Sequence, residues 1–395
     1  MEHALPPSPV HVLETAVRPA AVMVRGAGDE LFDQDGKRYL DFVQGWAVNS
    51  LGHSPEAVAR ALRTQASALV HSSAGYFNAP QVQLCTTLAR LSGLERTFLC
   101  ATGAEANESA IKLARKWGQR ERGGAWEIVT TADAFHGRTL ATMSASGKSA
   151  FAPLFEPKVQ GFRKVPFGDA AAVEAALDER VAAVLVEPIQ GEAGVVVPPR
   201  GYLRQLRELC SAQGVLLMFD EVQTGVGRTG ALFAFEHEGA RPDVMTLGKG
   251  LGAGVPLAAM LCDARVACFE PGDQGGTYSG NALTSAVGQA VLEAVTAPGF
   301  LDHVNAMSVK LRGVLEALVP RGLVASVRGA GLLLAAELPA ATASDVVRRA
   351  HAEGLLLNAP RPNLLRFMPA LNVLPASIDE LAERLPGLLE AAGRS

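Results

Sequence analysis

The sequence is poor in cysteine, in long hydrophobic runs and in clustered basic residues. Its five cysteines are scattered and no pair has metal-ligand spacing, so they predict reduced, buried thiols and no metal site. Apolar runs such as 181–186 and 215–219 are too short to span a bilayer. The net charge is −4 without a long basic stretch, so nucleic acid is not an expected partner. The N-terminal MEHALPPSPV lacks a basic start followed by an apolar core, so we expect no signal peptide and a cytoplasmic protein.

The composition is typical of a large globular protein. Hydrophobic residues make up 48% and charged residues 19% of the 395 positions, enough for a large core. From about residue 80, short apolar runs alternate with helical stretches such as Tyr202–Gln213. Runs that are apolar on both faces indicate a buried, mostly parallel sheet in an α/β fold, in which ligands bind beyond the carboxyl ends of the strands. The predicted strands are TFLC, WEIVTT, VAAVLVEP, GVLLMFDE and DVMTLGKG.

The two ends of the chain differ from this central part. In ELFDQDGKRYLDFVQG, Asp35 and Gly36 predict the turn of a hairpin. After about residue 290, helical stretches at 306–318 and 343–353 flank two or three short strands, which predicts a smaller α+β domain. We therefore expect three parts: an N-terminal segment that joins the small domain, a large ligand-binding domain, and the C-terminal small domain. Their expected bounds are 1–60, 61–290 and 291–395.

A single lysine, Lys249, stands among four glycines in TLGKGLGAG, directly after a predicted strand. Taken alone, this pattern more often marks a solvated lysine in a mobile loop; the alternative is that a bulky group must approach the amine. Asp220 ends the most hydrophobic predicted strand and could face the same site as Lys249. The ordinary interpretation of Asp220 is a helix cap or a solvated turn, which the glycines at 225–230 make less attractive.

Other segments carry groups that could bind a charged ligand. In TGAEANESAIK, small residues precede a helix, whose unpaired backbone N–H groups attract anions, although most such helix starts bind nothing. The stretches FHGRT, EPIQGEAG and LLRFMP supply Phe135 and Arg138, Glu192, and Arg366 on an otherwise apolar strand. Each of these charges, taken singly, is more often solvated or structurally paired.

Together these groups have one chemical logic. A lysine can attack an aldehyde cofactor, an aspartate can keep a pyridine nitrogen protonated, a helix N-terminus can hold a phosphate, and an aromatic ring can stack on the pyridine. This set of requirements is that of pyridoxal 5′-phosphate. The glycines around Lys249 would then let a flat ring reach the amine.

Eight stretches of the sequence resemble the class III pyridoxal-phosphate aminotransferases, and most closely the members that act on N-acetylornithine. The resemblance implies the fold type I architecture of PLP-dependent transferases, with a mostly parallel seven-stranded sheet flanked by helices and a smaller α+β domain. It also implies transamination between N2-acetyl-L-ornithine and 2-oxoglutarate in arginine biosynthesis. The matching stretches are YLDFVQGWAVNSLGH, TGAEANESAIKLARKW, FHGRTLATMSASG, EPIQGEAGVVVP, DEVQTGVGRTG, TLGKGLGAGVPLAA, GGTYSGNAL and LLRFMPALNV.

The resemblance assigns roles around the cofactor ring. Lys249 would bind the cofactor aldehyde through its amine and then shuttle the substrate proton. Asp220 would pair with the pyridine nitrogen, and Gln223 would donate a hydrogen bond to the phenolic oxygen. Val222 and Phe135 would pack on opposite faces of the ring.

The resemblance also assigns a phosphate site and a partner. Backbone N–H groups of Gly103 and Ala104 would bind the phosphate. Thr277 is similar to a threonine that reaches the phosphate of the second subunit, which implies a homodimer with shared active sites.

Arg138, Glu192 and Arg366 resemble the device by which this family uses one site for two substrates. Glutamate has two carboxylates, which suit two arginines. We expect Glu192 to pair with Arg366 while N-acetylornithine binds through Arg138, and to release Arg366 for glutamate or 2-oxoglutarate.

Two departures from the family pattern bear on the substrate. Gly276 stands where a serine is usual, and Ala74, close to Tyr76, stands where an asparagine is common. Both regions line the substrate pocket in the family, so Gly276 and Tyr76 are predicted substrate contacts. The alternative is a sister ω-aminotransferase that acts on succinylornithine, ornithine or 4-aminobutyrate.

Two other classes of function fit less well. A nicotinamide-dependent oxidoreductase is disfavoured because GKGLGAG carries a lysine where the backbone should approach a pyrophosphate, and no acidic residue follows at the expected distance. A non-catalytic binding module is disfavoured because Lys249, Asp220 and Arg138 are all present. The histidines, including His136, are interpreted as structural.

Overall fold

Three β-sheets organise the chain in the computed structural model, which describes residues 11–393. The predicted absence of a signal peptide concerns residues 1–10, which lie outside the described residues. The strands are β1 (Met23–Ala27), β2 (Glu30–Asp33), β3 (Arg38–Asp41), β4 (Arg96–Cys100), β5 (Glu127–Thr131), β6 (Phe162–Val165), β7 (Val181–Val186), β8 (Leu216–Asp220), β9 (Val244–Leu247), β10 (Ala258–Cys262), β11 (Ser326–Ala330), β12 (Leu333–Glu337), β13 (Leu355–Leu356), β14 (Asn358–Arg361) and β15 (Leu364–Phe367).

Helices cover these sheets. They are α1 (Gln44–Ala47, a single left-handed turn), α2 (Glu56–Ala66), α3 (Ala79–Ser92), α4 (Gly103–Glu121), α5 (Leu140–Ala145), α6 (Ala170–Ala176), α7 (Tyr202–Gln213), α8 (Ala282–Val295), α9 (Phe300–Glu316), α10 (Ala343–Ala352) and α11 (Pro375–Gly393). Short 3₁₀ turns occur at Ser149–Phe151, Ala234–His237, Lys249–Leu251 and Ala264–Val266.

The central sheet has seven strands in the order β4-β10-β9-β8-β7-β5-β6. Strand β10 is antiparallel to both of its neighbours, and the remaining pairings are parallel. Every residue of β7 and β8 is buried, because alternate side chains pack on helices at the two faces. Leu216 and Met218 share a cluster with residues of α4, whereas Leu217 and Phe219 share one with residues of α7. The predicted α/β fold with a mostly parallel seven-stranded sheet is confirmed.

Helix α4 begins at the carboxyl end of β4 and carries its positive end to that edge of the sheet. The Thr102 side chain accepts a hydrogen bond from the Glu105 backbone, and the Glu105 carboxylate accepts one from the Thr102 backbone at 2.8 Å. This capping box fixes where the helix starts. The buried face of α4 then packs against β9 and β10, so Gly103 and Ala104 are held beside the strand ends.

The other two sheets belong to the ends of the chain. Strands β1, β2 and β3 form an antiparallel meander, and the turn at Gly36 has a φ of 82°. Strand β3 pairs in parallel with β13, so the N-terminal hairpin is bonded to the C-terminal part of the chain. Strands β11, β12, β15 and β14 form an antiparallel sheet in that order. Arg366 lies on β15 and is 1% exposed.

Two features of other protein classes are absent from residues 11–393. No helix there combines the length and the apolar character needed to cross a membrane. The same residues bring together no cluster of three or more His, Cys, Asp or Glu side chains suited to a metal ion. The cysteines are free thiols.

Candidate active site

Five loops that follow strands of the central sheet meet at its carboxyl edge. They follow β4, β5, β7, β8 and β9, and together they line a cavity of about 280 Å³, near the lower end of small-molecule sites. Parallel strands end at the same edge, which is why segments far apart in sequence converge here. The cavity is lined by nine of the predicted site residues: Gly103, Ala104, Phe135, Arg138, Glu192, Asp220, Val222, Gln223 and Lys249.

Lys249 lines this cavity and does not lie in a solvated loop. It follows β9 by two residues and has a φ of 40°, in the left-handed region that side chains rarely adopt. Burial lowers the pKa of its amine, an effect that the charges of Glu192 and Asp220 oppose. A buried amine that loses its proton readily is a nucleophile, so the site favours chemistry at this nitrogen. The alternative of a mobile, solvated lysine is wrong.

Asp220 is held rigidly at the end of β8 by donors from four segments. Its Oδ2 accepts hydrogen bonds from Asn107 Nδ2 and His136 Nδ1, both at 2.8 Å. Its Oδ1 accepts a hydrogen bond from the Val222 backbone at 3.0 Å and lies 3.5 Å from Thr246 Oγ1. The carboxylate is 4% exposed, and these donors stabilise its charge in a buried place. It can therefore present a fixed negative charge to a ligand.

The backbone approaches very closely at the N-terminus of α4. A Cβ built on Gly103 would lie 2.7 Å from Val222 Cγ1, so a residue other than glycine would displace Val222. A Cβ on Gly248 would meet the same side chain at 3.2 Å. Because the first N–H groups of a helix have no intrahelical partner, this crowded terminus offers donors to an anion at the cavity wall.

Glu187 is a second buried carboxylate in the cavity, directly after β7. Its Oε1 accepts a hydrogen bond from the Phe135 backbone at 2.9 Å, and its Oε2 accepts one from the Gly191 backbone at 3.3 Å. Burial and the nearby negative charge of Asp220 raise the pKa of Glu187 to about 8. These two bonds link the segment that carries Phe135 and Arg138 to the one that carries Glu192.

Glu192, which lines the cavity, forms an ion pair with the buried Arg366. Arg366 Nη1 lies 2.7 Å from Glu192 Oε1 and also donates to the Gly191 carbonyl at 2.8 Å, while its Nε donates to Asn358 Oδ1 at 2.9 Å. Burial opposes the ionisation of Glu192, but the charges of Arg366 and Lys249 outweigh it and hold its pKa below the ordinary value. The predicted pairing of Glu192 with Arg366 is thus present in the structure.

Arg138 also lines the cavity and is exposed. Its guanidinium carbon is 5.9 Å from the centre of the Phe135 ring and 5.4 Å from that of Phe151. The two rings are 6.1 Å apart and hold the cation over their faces. Arg138 therefore presents a cation, supported by two aromatic rings, at the wall of the cavity.

Comparisons with known proteins agree with this geometry. The family model of the class III aminotransferases matches residues 13–389. The chain belongs to the class III aminotransferases. Acetylornithine aminotransferase 2 of Bordetella bronchiseptica is 50% identical over 383 residues, which cover 96% of this chain and 97% of that protein.

Solved structures of class III aminotransferases superpose on the chain. The N-acetylornithine aminotransferase of Stenotrophomonas maltophilia matches with a TM-score of 0.82 and 36% identity over 94% of this chain and 96% of that chain. The ornithine aminotransferase of Toxoplasma gondii matches with a TM-score of 0.93 and 34% identity over 98% and 93%. The active site of that T. gondii structure holds PLP at partial occupancy. Class III aminotransferases depend on PLP, and the chain is an α/β enzyme of this class.

Buried polar atoms of this class III site fit the cofactor. Among residues 11–393, the side-chain oxygen and nitrogen of Gln223 and Nε2 of His136 are buried without a hydrogen-bond partner. Leaving such groups unpaired costs about 1–3 kcal/mol each, so a polar ligand in the cavity would stabilise the site. The residues thus offer a nucleophilic amine at Lys249, a fixed carboxylate at Asp220, an anion-binding helix terminus and unpaired donors and acceptors.

Besides Arg366, which is bonded to the lining residue Glu192, three predicted site residues lie outside the cavity of this single chain. Tyr76 is 75% exposed, and Gly276 and Thr277 are exposed on a surface loop. None of the three is among the residues that line the described cavity around Lys249. Their predicted contacts with substrate, and with the phosphate of a second subunit, stay predictions.

The class III site also includes residues that sequence reasoning missed. His136 was interpreted as structural, and Asn107 was not singled out, yet both bind the Asp220 carboxylate. Asn107 also accepts a hydrogen bond from Thr246 at 2.8 Å. The sequence could have indicated Asn107, because it is a polar residue on the apolar face of a helix and such a residue usually has a polar partner.

Proposed function

We propose that this class III aminotransferase transfers the δ-amino group of N2-acetyl-L-ornithine to 2-oxoglutarate, giving N-acetyl-L-glutamate 5-semialdehyde and L-glutamate. The observation that carries this proposal is the Glu192–Arg366 ion pair, with its 2.7 Å contact, whose carboxylate lines the same cavity as Lys249. Glu192 neutralises Arg366, one of the two arginines of the site. An amino-group donor with a single carboxylate requires this, because its carboxylate can pair only with the other arginine, Arg138. The 50% identity to an acetylornithine aminotransferase supports the same donor.

When bound, PLP supplies an aldehyde that an amine can attack and a pyridine ring that withdraws electrons from the carbon being deprotonated. The lowered pKa of Lys249 suits its amine both to attack and to carry a proton to and from the substrate carbon. Asp220, fixed by Asn107 and His136, would keep the ring nitrogen protonated. Lys249 would therefore serve both to hold the cofactor and to move the substrate proton.

The remaining residues of the cavity would orient the ring. Gln223, whose amide lacks a partner among the described residues, would donate to the phenolic oxygen. Val222 and Phe135 would pack on the two faces. The backbone N–H groups of Gly103 and Ala104 at the start of α4 would hold the phosphate, which a helix N-terminus favours by its positive end.

The two substrates would use the two arginines differently. N-acetylornithine has an uncharged acylated chain and one carboxylate far from the reacting amine, which Arg138 would bind while Glu192 keeps Arg366 neutralised. Glutamate and 2-oxoglutarate have a second carboxylate, which would displace Glu192 and pair with Arg366 in the two-pronged geometry that guanidinium allows. Both half-reactions then occur over the same Lys249.

A homodimer in the cytoplasm is part of the proposal. What supports the homodimer is an exposed apolar patch: Phe77 is 89%, Tyr76 75% and Tyr278 70% exposed. The two loops of this patch touch, because Asn78 Nδ2 donates to the Gly280 carbonyl at 2.8 Å. A contiguous apolar patch marks an interaction surface. In a dimer formed through this patch, Thr277 of each subunit would reach the phosphate site of the other subunit. Gly276 and Tyr76 would lie at the substrate pocket of the other subunit.

The proposed reaction is tested by following the nitrogen. Purified enzyme with PLP and 2-oxoglutarate is given N-acetylornithine that carries ¹⁵N at the δ position, and the products are read by mass spectrometry. We expect the label in glutamate, together with unlabelled N-acetylglutamate semialdehyde. Label left in the donor, when unprotected ornithine or 4-aminobutyrate does transfer its amine under the same conditions, would reassign the enzyme to a sister activity.

A further inference from the structure

Three arginines of the C-terminal sheet hold the loop that carries Glu192. Arg366 Nη1 donates to the Gly191 carbonyl at 2.8 Å, Arg361 Nε donates to the Ala193 carbonyl at 3.2 Å, and Arg328 Nε donates to the Gly194 carbonyl at 3.0 Å. Three carbonyls among four successive residues are thus bound by guanidinium groups from β11, β14 and β15.

The backbone of this loop needs such support. Gly194 has a φ of 109° and Val195 a φ of 54°, and the second is unusual for a β-branched residue. For Val195 this conformation costs of the order of 1–3 kcal/mol and persists only where the surroundings enforce it. A Cβ on Gly194 would lie 2.8 Å from Leu364 Cδ2, so the loop is pressed against β15. The conformation at Glu192 therefore depends on contacts with the C-terminal sheet.

Of the three, Arg361 alone among the described residues also bonds to the segment that follows β5. Its Nη2 donates to Asp133 Oδ1 at 2.8 Å. Asp133 has a φ of 59° and lies on the segment that leads to Phe135 and Arg138. Arg361 therefore connects the loop of Glu192 to the segment of Arg138, the two parts that must act differently in the two half-reactions.

We propose that Arg361 is a positioning residue for the choice of amino donor: by tying Ala193 to Asp133 it holds the Glu192 carboxylate against Arg366. This inference rests on the proposed function, because it acts through the Glu192–Arg366 pair. Without the tie, Glu192 leaves Arg366 more easily. N-acetylornithine needs Arg366 neutralised, so its reaction becomes slower. Glutamate needs Arg366 free, so its rate of reaction does not fall.

The expected effect is modest. The side chains of Arg361 and Asp133 are 42% and 48% exposed, and ion pairs of this exposure contribute little because water screens them. We expect the ratio of kcat/KM for N-acetylornithine over that for glutamate to fall about two- to five-fold in Arg361→Gln. The Arg361→Lys variant keeps one charge near Asp133 and should give an intermediate ratio.

The experiment compares Arg361→Gln, Asp133→Asn and the double variant with a matched control, Arg321→Gln. The control breaks the Arg321–Glu390 pair, which has a similar length of 2.9 Å and side chains 49% and 45% exposed. Each holoenzyme is measured in single turnover with N-acetylornithine and with glutamate. Hydrogen exchange of the amides at 191–196 is measured on each protein without cofactor.

Three results together support the inference: a lower donor ratio in Arg361→Gln but not in Arg321→Gln, less than additive effects in the double variant, and faster exchange at 191–196. Equal losses with both donors, or a ratio like that of the control, would overturn it. If the unmodified enzyme does not react with N-acetylornithine, the proposed function fails instead. Unchanged exchange at 191–196 would then separately refute the tie between Arg361 and the loop.

Discussion

Replacing Glu192 by glutamine removes the charge opposite Arg366 and nearly keeps the shape. Arg366 is 1% exposed and cannot turn to water, but it still donates to Asn358 at 2.9 Å and to the Gly191 carbonyl at 2.8 Å. The protein should therefore fold, and the loss is that of one charge-assisted hydrogen bond, about 1.5–3 kcal/mol. If N-acetylornithine reacts only with the pair intact, kcat/KM for this donor falls roughly 10- to 100-fold. The value for glutamate should change little, since that substrate breaks the pair in any case.

The assay is the single-turnover loss of the visible cofactor absorbance with each donor separately. A matched control is Glu390→Gln, which breaks the ion pair of Glu390 with Arg321 at 2.9 Å, because neither residue lines the cavity or contacts the Glu192 loop in the described contacts. The control should leave the preference between donors unchanged. Equal losses with both donors in Glu192→Gln would refute the reasoning, because they would mean that the pair only supports the site.

Three further predictions concern the cofactor site. Gly103→Ala should weaken PLP binding at least tenfold and destabilise the protein by about 1–3 kcal/mol, because its Cβ would lie 2.7 Å from Val222. Adding Val222→Ala to this variant removes the clash and should restore PLP binding, measured by fluorescence titration. Lys249→Met should abolish transamination yet raise the melting temperature of the cofactor-free protein, measured by calorimetry, because it removes an amine whose pKa burial lowers. Glu187 has a pKa raised to about 8, so the folded protein binds its proton more tightly than the unfolded one. The resulting stability is present below about pH 4.5 and is lost as the pH rises towards 8, and Glu187→Gln should flatten that slope in urea titrations at successive pH values.

Local patterns in the sequence determine much of the fold. Helix α7 spans Tyr202–Gln213 as predicted, because glycines in the left-handed region stand directly before and after it. Helix α9 begins at Phe300, earlier than the predicted 306, where Gly299 has a φ of 81°. Strand β10 is antiparallel, which its apolar composition could not reveal, since strand direction depends on the connections. The proposed boundaries at residues 60 and 290 stay predictions.

Some residues of the site could be predicted from local sequence, and others depend on how the chain folds. Motifs next to strand ends identified Lys249 and Asp220, because a charged residue after a buried strand is a local signal. The hydrogen bonds around these residues could not be predicted from local sequence, because their partners are far apart in the chain. Asn107 and Asp220 are 113 positions apart, and Arg361 and Asp133 are 228 apart. Such pairs form only when the fold brings separate strands to one edge. A single chain likewise cannot test the role of Thr277 towards a second subunit.

The central claim, an aminotransferase that acts on N-acetylornithine through Lys249, is tested most directly by one titration. The purified enzyme with PLP is mixed separately with N-acetylornithine, succinylornithine, ornithine and 4-aminobutyrate, and the loss of its visible absorbance is followed in a single turnover. The account predicts the fastest loss with N-acetylornithine and no such reaction in Lys249→Met. Faster loss with another amine would contradict the proposed donor, and no visible absorbance with PLP supplied would contradict the assignment of the site itself.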